Sequence, residues 1–241
     1  MLKFKALLTL VAAFTLVAVT ASSASALSIA GGPTFRGVQS TNQVFRIGNA
    51  LTTTCTTARA DGVTNVPPQR GVVAPNTLGT PSTNMARFRM TYTGCTTAIT
   101  GLSYPTTVTV NCDWLLAPST YNAATGTSTG VLRTGVSGCT GGTVIALSGS
   151  PCTVTVPDQL LSTGATGQNV TAANQPSPAN GAPVGMRIVA NIVNGISYTS
   201  SGCPGVPAAA PPGAPLAGYT GTIVILPTTG PPAAPGVWVV P

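Results

Sequence analysis

The 241-residue chain carries ten Lys and Arg, three Asp, no His and a net charge of +7. Only 5% of it is charged while 43% is hydrophobic, which excludes a chain kept disordered by charge and low hydrophobicity. Glu is missing as well, and both lysines lie at positions 3 and 5, so His-centred triads and Lys or Glu general bases are excluded from the rest of the chain.

Lys3 and Lys5 open a short positive region, Ala6 to Val19 form an apolar run broken only by threonines, and Ala24-Ser25-Ala26 supplies small residues. That order predicts a secretory signal peptide over residues 1–26, cleaved after Ala26. The run is shorter than the roughly 20 residues a membrane helix needs. Residues 27–241 are therefore expected as a single secreted β domain, with no membrane partner after signal cleavage.

Thr, Val, Gly and Pro abound beyond the signal peptide, while Gln, Met, Lys and Glu are scarce, a balance that favours strands over helices. In chain order, "PTFRGVQ" and "QVFRI" are the first expected strands, and Asp61-Gly62 follows as a turn pair. In "ARFRMTY", Phe88, Met90 and Tyr92 alternate with Arg87, Arg89 and Thr91. In "TTVTVNCDWLL", Val108, Val110, Cys112 and Trp114 share one face, and Thr107, Thr109, Asn111 and Asp113 the other. Tyr121 to Gly130, "YNAATGTSTG", is expected as a polar hairpin loop. "VIALSG" and "CTVTVP" are two more strands, the latter aligning Cys152, Val154 and Val156 and ending before Asp158.

Thr166 to Gly185 is expected as a long loop with mobile parts. "GMRIVANIVNGISY" then aligns Met186, Ile188, Ala190 and Ile192, followed by Ile196 and Tyr198. Residues 203–218 form a Pro- and Ala-rich loop, read as a stiff surface connection. "YTGTIVIL" and "VWVV" close the chain as strands. The expected fold is all-β: an antiparallel β-sandwich, Ig-like or jelly-roll-like, stapled by disulfides.

Six cysteines in an exported chain read as three disulfides, and a zinc site lacks both a Cys-x-x-Cys pair and a histidine. Joining cysteines at neighbouring strands gives Cys55–Cys95, Cys112–Cys139 and Cys152–Cys203. Leu226 to Gly230 spells LPTTG, which resembles the sorting motif that links secreted proteins to the Gram-positive cell wall. Such a signal also needs an apolar segment and a positive tail. The eleven residues after Gly230 hold four prolines and no Lys or Arg. The motif is expected as a turn out of a strand, and the protein as secreted without covalent wall anchorage.

"YTGCTTAITG", "TTVTVNCDWLL", "YNAATGTSTG", "CTVTVP" and "YTGTIVIL" together resemble the motif string of secreted β-rich proteins from high-GC Gram-positive bacteria. The resemblance covers residues 86 to 226 and implies an exported β domain, with no activity to carry over.

For chemistry, the carboxylates are Asp61, Asp113 and Asp158, each placed by its neighbours at a turn or on a surface, so no catalytic residue, cofactor or metal site is expected. Trp114 is expected in the core and Trp238 in a terminal edge strand, a poor platform for sugars. Eight Arg against three Asp leave the mature domain at +5. Arg87 and Arg89 share an outward face, a candidate anion-binding face for an anionic or glycan polymer of the cell envelope. Nucleic acid is not an expected partner, given the export signal and the lack of a basic, aromatic stripe. The chain is expected to be a non-catalytic structural or interaction protein of the cell exterior. A binding module for a glycan or anionic polymer is the alternative, and an Asp-based hydrolase a distant third.

Overall fold

The alternation of apolar and polar residues becomes an alternation of buried and exposed ones along almost every strand. The structure, a computed structural model, describes residues 28–30, 34–66, 85–122, 124–134, 139–162, 168–176, 183–209, 217–228 and 238–240. The expected signal peptide lies outside the described residues.

In chain order the strands begin with β1 (Ser28–Ala30), β2 (Thr34–Ile47), β3 (Leu51–Val66), β4 (Met85–Ile99) and β5 (Leu102–Val110). They continue with β6 (Trp114–Asn122), β7 (Thr127–Arg133), β8 (Thr143–Leu147), β9 (Thr153–Val156) and β10 (Leu160–Ser162). The last are β11 (Gln168–Pro176), β12 (Pro183–Ile196), β13 (Thr199–Ser201), β14 (Ala217–Pro227) and β15 (Trp238–Val240). All pairings between them are antiparallel, and no helix occurs among the described residues.

The expected pair of stacked sheets is replaced by one sheet that closes on itself. The ladder runs β7-β11-β12-β14-β2-β3-β4, and β6 pairs with both β4 and β7 to complete a ring of eight strands. Ala86 to Phe88 of β4 face Leu116 to Trp114 of β6, and Thr127 to Thr129 of β7 face Ala173 to Thr171 of β11. Eight strands give a barrel just wide enough for side chains to fill.

The second half of β4 turns away from the ring. Cys95 to Ile99 pair with β5, which begins a wing ordered β5-β8-β9-β13. The expected single strand "TTVTVNCDWLL" is thus two: β5 belongs to the wing, β6 to the barrel, and the chain crosses between them at Asn111 to Asp113. Its inward face holds across the break, with Val108, Val110, Cys112 and Trp114 all buried. The wing's Thr143 and Val156 meet Ile47, Leu161, Ile196 and Ala217 of the barrel region around one small void, so the wing covers that end. A separate ribbon, β1 with β15, touches β3, β4 and β6 through β1, and β6, β11 and β12 through β15. It spans the barrel rather than extending the wall, and Ile29 is fully buried in the core.

Six strands were not foreseen: the short β1, β10 and β13, then β7, which takes Thr127 to Gly130 out of the expected Tyr121 to Gly130 loop, and the longer β3 and β11. β3 is one of the longest, and Asp61-Gly62, expected as a turn, sits within it, paired to Arg89 and Phe88. A β-carbon at Gly62 would stand 2.6 Å from both Phe35 Cζ and Phe88 Cβ, so the glycine lets those rings meet. β11 occupies Gln168 to Pro176 of the expected Thr166 to Gly185 loop, with Val170 and Ala172 facing inward. "PTFRGVQ" and "QVFRI" merge into β2, whose register with β3 shifts between Val38 and Gln43. In the Pro-rich connection Val206 is buried, and Ala208 accepts a hydrogen bond from Ser200 N at 2.7 Å.

The three disulfides are those expected: Cys55–Cys95, Cys112–Cys139 and Cys152–Cys203. Cys55 and Cys95 are direct cross-strand partners, 4.0 Å apart at Cα. Cys112–Cys139 ties the crossing at Asn111 to Asp113 to the approach to β8, and Cys152–Cys203 ties the start of β9 to the end of β13.

Candidate functional site

Closure of the ring brings six aromatic rings into one continuous chain of contacts. Phe35 meets Phe88 and Phe88 meets Trp114, each at 6.2 Å between centroids; Trp114 stands edge-on to Tyr219 at 5.9 Å. Tyr219 meets Phe45 at 4.9 Å, and Phe45 stands edge-on to Tyr92 at 5.2 Å. All six are buried. Such tilted and edge-on pairs suit the ring quadrupoles and add to the stabilisation from burial.

A polar cluster sits within this apolar interior. The Tyr219 hydroxyl donates to Gln43 Oε1, and Gln43 Nε2 donates to the carbonyls of Thr41 at 2.8 Å and Thr222 at 3.2 Å. Tyr92 and Tyr219 share a hydroxyl–hydroxyl hydrogen bond of 3.2 Å. Burial raises the pKa of both phenols above the usual tyrosine value, because the phenolate would lose its water. Gln43 was not among the candidate residues. It could have been, because Gln43, Phe45 and Ile47 fall on one face of a strand, and a polar residue on an inward face calls for a buried partner.

Among the described residues, apolar voids of about 20 Å³ lie in the interior, one toward the wing and one walled by Ala60, Phe88, Ile188 and Ile223. Trp114 lines both; its Nε1 is buried and meets no acceptor among the described residues. Each void is of the size of a single water and well below the ~300–1,000 Å³ of a small-molecule site.

The carboxylates lie on the outside of the fold, each held by arginine. Asp61 accepts from Arg36 Nε at 2.9 Å, and Arg133 grips Asp158 through both Nε and Nη2. Arg87 and Arg89, the candidate anion-binding face, do lie together on β4, and both reach Asp113: Arg89 Nε at 2.9 Å and Arg87 Nε at 3.7 Å. Their positive charge is thereby partly neutralised. Arg46, Arg59 and Arg187 have no ion-pair partner among the described residues. Among those residues no three His, Cys, Asp or Glu cluster as metal donors.

Trp114 is in the core, as expected, and Trp238 falls in β15, paired with Ala30. No family model, curated protein or solved structure matches the chain.

Proposed function

We propose that the mature chain is a non-catalytic, secreted structural or interaction protein of the cell exterior, acting through the outer wall of its barrel. One observation carries this reading. The interior that an eight-stranded barrel could give to a ligand is occupied by its own Phe35, Phe88, Trp114, Tyr219, Phe45 and Tyr92. What remains for partners is the surface. The export signal and three disulfides support a working place outside the reducing cytosol. The arginine-bound aspartates support a structural use of the carboxylates rather than acid–base work, which needs a carboxyl poised beside its substrate in a cleft.

The test is expression in a Gram-positive host. The protein should appear in the medium or envelope fraction with Leu27 at its N-terminus, and it should turn over no envelope polysaccharide. Retention in the cytoplasm overturns the location. Hydrolysis that disappears with Asp61→Asn, Asp113→Asn or Asp158→Asn overturns the non-catalytic role.

A further inference from the structure

We infer that the wall built by β12, β14, β2 and β3 docks the protein peripherally on an anionic lipid surface. The inference rests on reading the chain as an interaction protein of the exterior; it names the face and, in place of the expected lack of a membrane partner, a peripheral lipid contact.

The register places Arg187 beside Val224, Val224 beside Val38, and Val38 beside Arg59, one residue from each of four adjacent strands. Directly paired residues point to the same side of a sheet, so the four form one outward row. At ~4.8 Å per strand the two arginines stand about 14 Å apart at their backbones. Val38 is 48% exposed, and Leu226 beside the row is 44% exposed. Leu226 reaches over Gly185: its Cδ2 would lie 2.7 Å from a β-carbon there. The wall is thus an aliphatic strip with Arg59 and Arg187 at its ends, and the next row beside it carries Leu226 and the mutually paired Arg36 and Asp61. Neither Arg59 nor Arg187 has a carboxylate partner among the described residues, and all three Asp are engaged by other arginines.

Charge and apolarity together select the partner. A second copy of the chain would fit poorly, because a two-fold axis through the valines would set Arg187 against Arg59. A water-soluble polyanion would satisfy the arginines and leave the valines and Leu226 in water. A lipid surface uses both, with guanidinium groups on headgroup phosphates and aliphatic side chains at the acyl boundary.

The experiment is co-sedimentation of the mature, oxidised protein with vesicles of phosphatidylglycerol or of phosphatidylcholine. Binding is expected to the anionic vesicles alone, and it should fall as salt shortens the screening length toward ~3 Å at about 1 M. Arg59→Ser with Arg187→Ser should weaken it roughly thirty-fold. Arg87→Ser with Arg89→Ser removes the same net charge and should matter far less. Val38→Ser with Leu226→Ser should weaken vesicle binding while leaving any binding to soluble polyphosphate unchanged. Circular dichroism of each variant confirms the fold. No binding to phosphatidylglycerol overturns the inference, as do equal losses from the two arginine pairs. Binding to polyphosphate without binding to vesicles assigns the wall to a polyanion instead. None of these failures bears on the non-catalytic role, which polysaccharide turnover tests.

Discussion

Gln43 and Gly221 share one volume inside the barrel: a β-carbon on Gly221 would stand 1.8 Å from Gln43 Oε1. The glycine is there because a carboxamide occupies the space its side chain would take. That carboxamide is fully buried and bonded to Tyr219, Thr41 and Thr222. Gly221→Ala should therefore push Gln43 off its partners and cost about 2–4 kcal/mol. Urea unfolding measures the loss. Adding Gln43→Ala to Gly221→Ala should cost less than the sum of the two single changes, since both disrupt one shared contact. Strict additivity would show that the two residues do not compete for the same space.

The buried phenols make a prediction about pH. Tyr92 and Tyr219 have folded pKa values raised by burial, so the native state holds their protons more tightly than the unfolded chain does. Their contribution is fully present below the unfolded tyrosine pKa of about 10 and is lost as pH rises beyond it. With no His, stability should be nearly flat from about pH 6 to 9 and then fall. Absorbance near 295 nm should show at least two of the five tyrosines, Tyr92 and Tyr219, ionising only together with unfolding. Titration of all five before any loss of structure would contradict the buried pair.

Exposure separates the ion pairs. Arg133 and Asp158 are 21% and 22% exposed and doubly bonded, while Arg36 and Asp61 are both 53% exposed. Breaking the shielded pair leaves a half-desolvated guanidinium, whereas the exposed one returns to water. Asp158→Asn should cost about 1–3 kcal/mol and Asp61→Asn at most ~1 kcal/mol. Chemical denaturation of both variants decides it, and equal losses would discard the exposure argument.

Cys152–Cys203 closes a 51-residue separation, for which chain entropy gives about 4 kcal/mol. The bridge staples β13, which among the described residues pairs with β9 and is otherwise held by the Pro207 to Ala209 segment. In Cys152→Ser with Cys203→Ser, the amides of Thr199 to Ser201 should exchange faster while those of β4 and β14 stay protected. Uniform loss of protection would instead make the wing and barrel one cooperative unit.

Strands whose inward residues are large announced themselves: Phe88, Met90 and Tyr92, or Met186 to Ile192, alternate cleanly and are buried as expected. β3 did not, because it presents Thr53, Cys55, Ala58 and Ala60 to the interior. Its small residues are the counterpart of large neighbours, with Ala58 opposite Tyr92 and Ala60 opposite Met90. β11 hid for the same reason behind Ala172 and its Asn and Gln neighbours. Closure was beyond local pattern, since β4–β6 and β7–β11 are each sealed by three residue pairs of distant sequence. Of the charged residues on the outside of the barrel, Arg87 and Arg89 on β4 were legible by alternation, but their pairing with Asp113 was not, because Asp113 lies on the crossing between wing and barrel. Arg59 went unseen with its strand.

The LPTTG stretch carries the last prediction. A sorting transpeptidase needs its motif accessible and extended in its own cleft, as any chain-cutting enzyme needs an exposed segment. Here Leu226 and Pro227 lie in β14, opposite Arg36 and Phe35. Thr228 N donates to Thr34 O at 3.1 Å, and the two threonine hydroxyls meet at 2.8 Å. Three of the five residues are thus held in a ladder before the Thr229–Gly230 bond is reached. The chain beyond that bond also has structural work, since Trp238, Val239 and Val240 pair with Ala30, Ile29 and Ser28. A chain stopped at Thr229 should lose the partner of β1 and loosen buried Ile29, at a cost of about 2–4 kcal/mol if that side chain is released. Intact secreted protein should yield the peptide spanning Thr229–Gly230 by mass spectrometry, and the stopped chain should unfold at lower urea. A C-terminus at Thr229 joined to a wall peptide would refute the first expectation, and an unchanged midpoint the second.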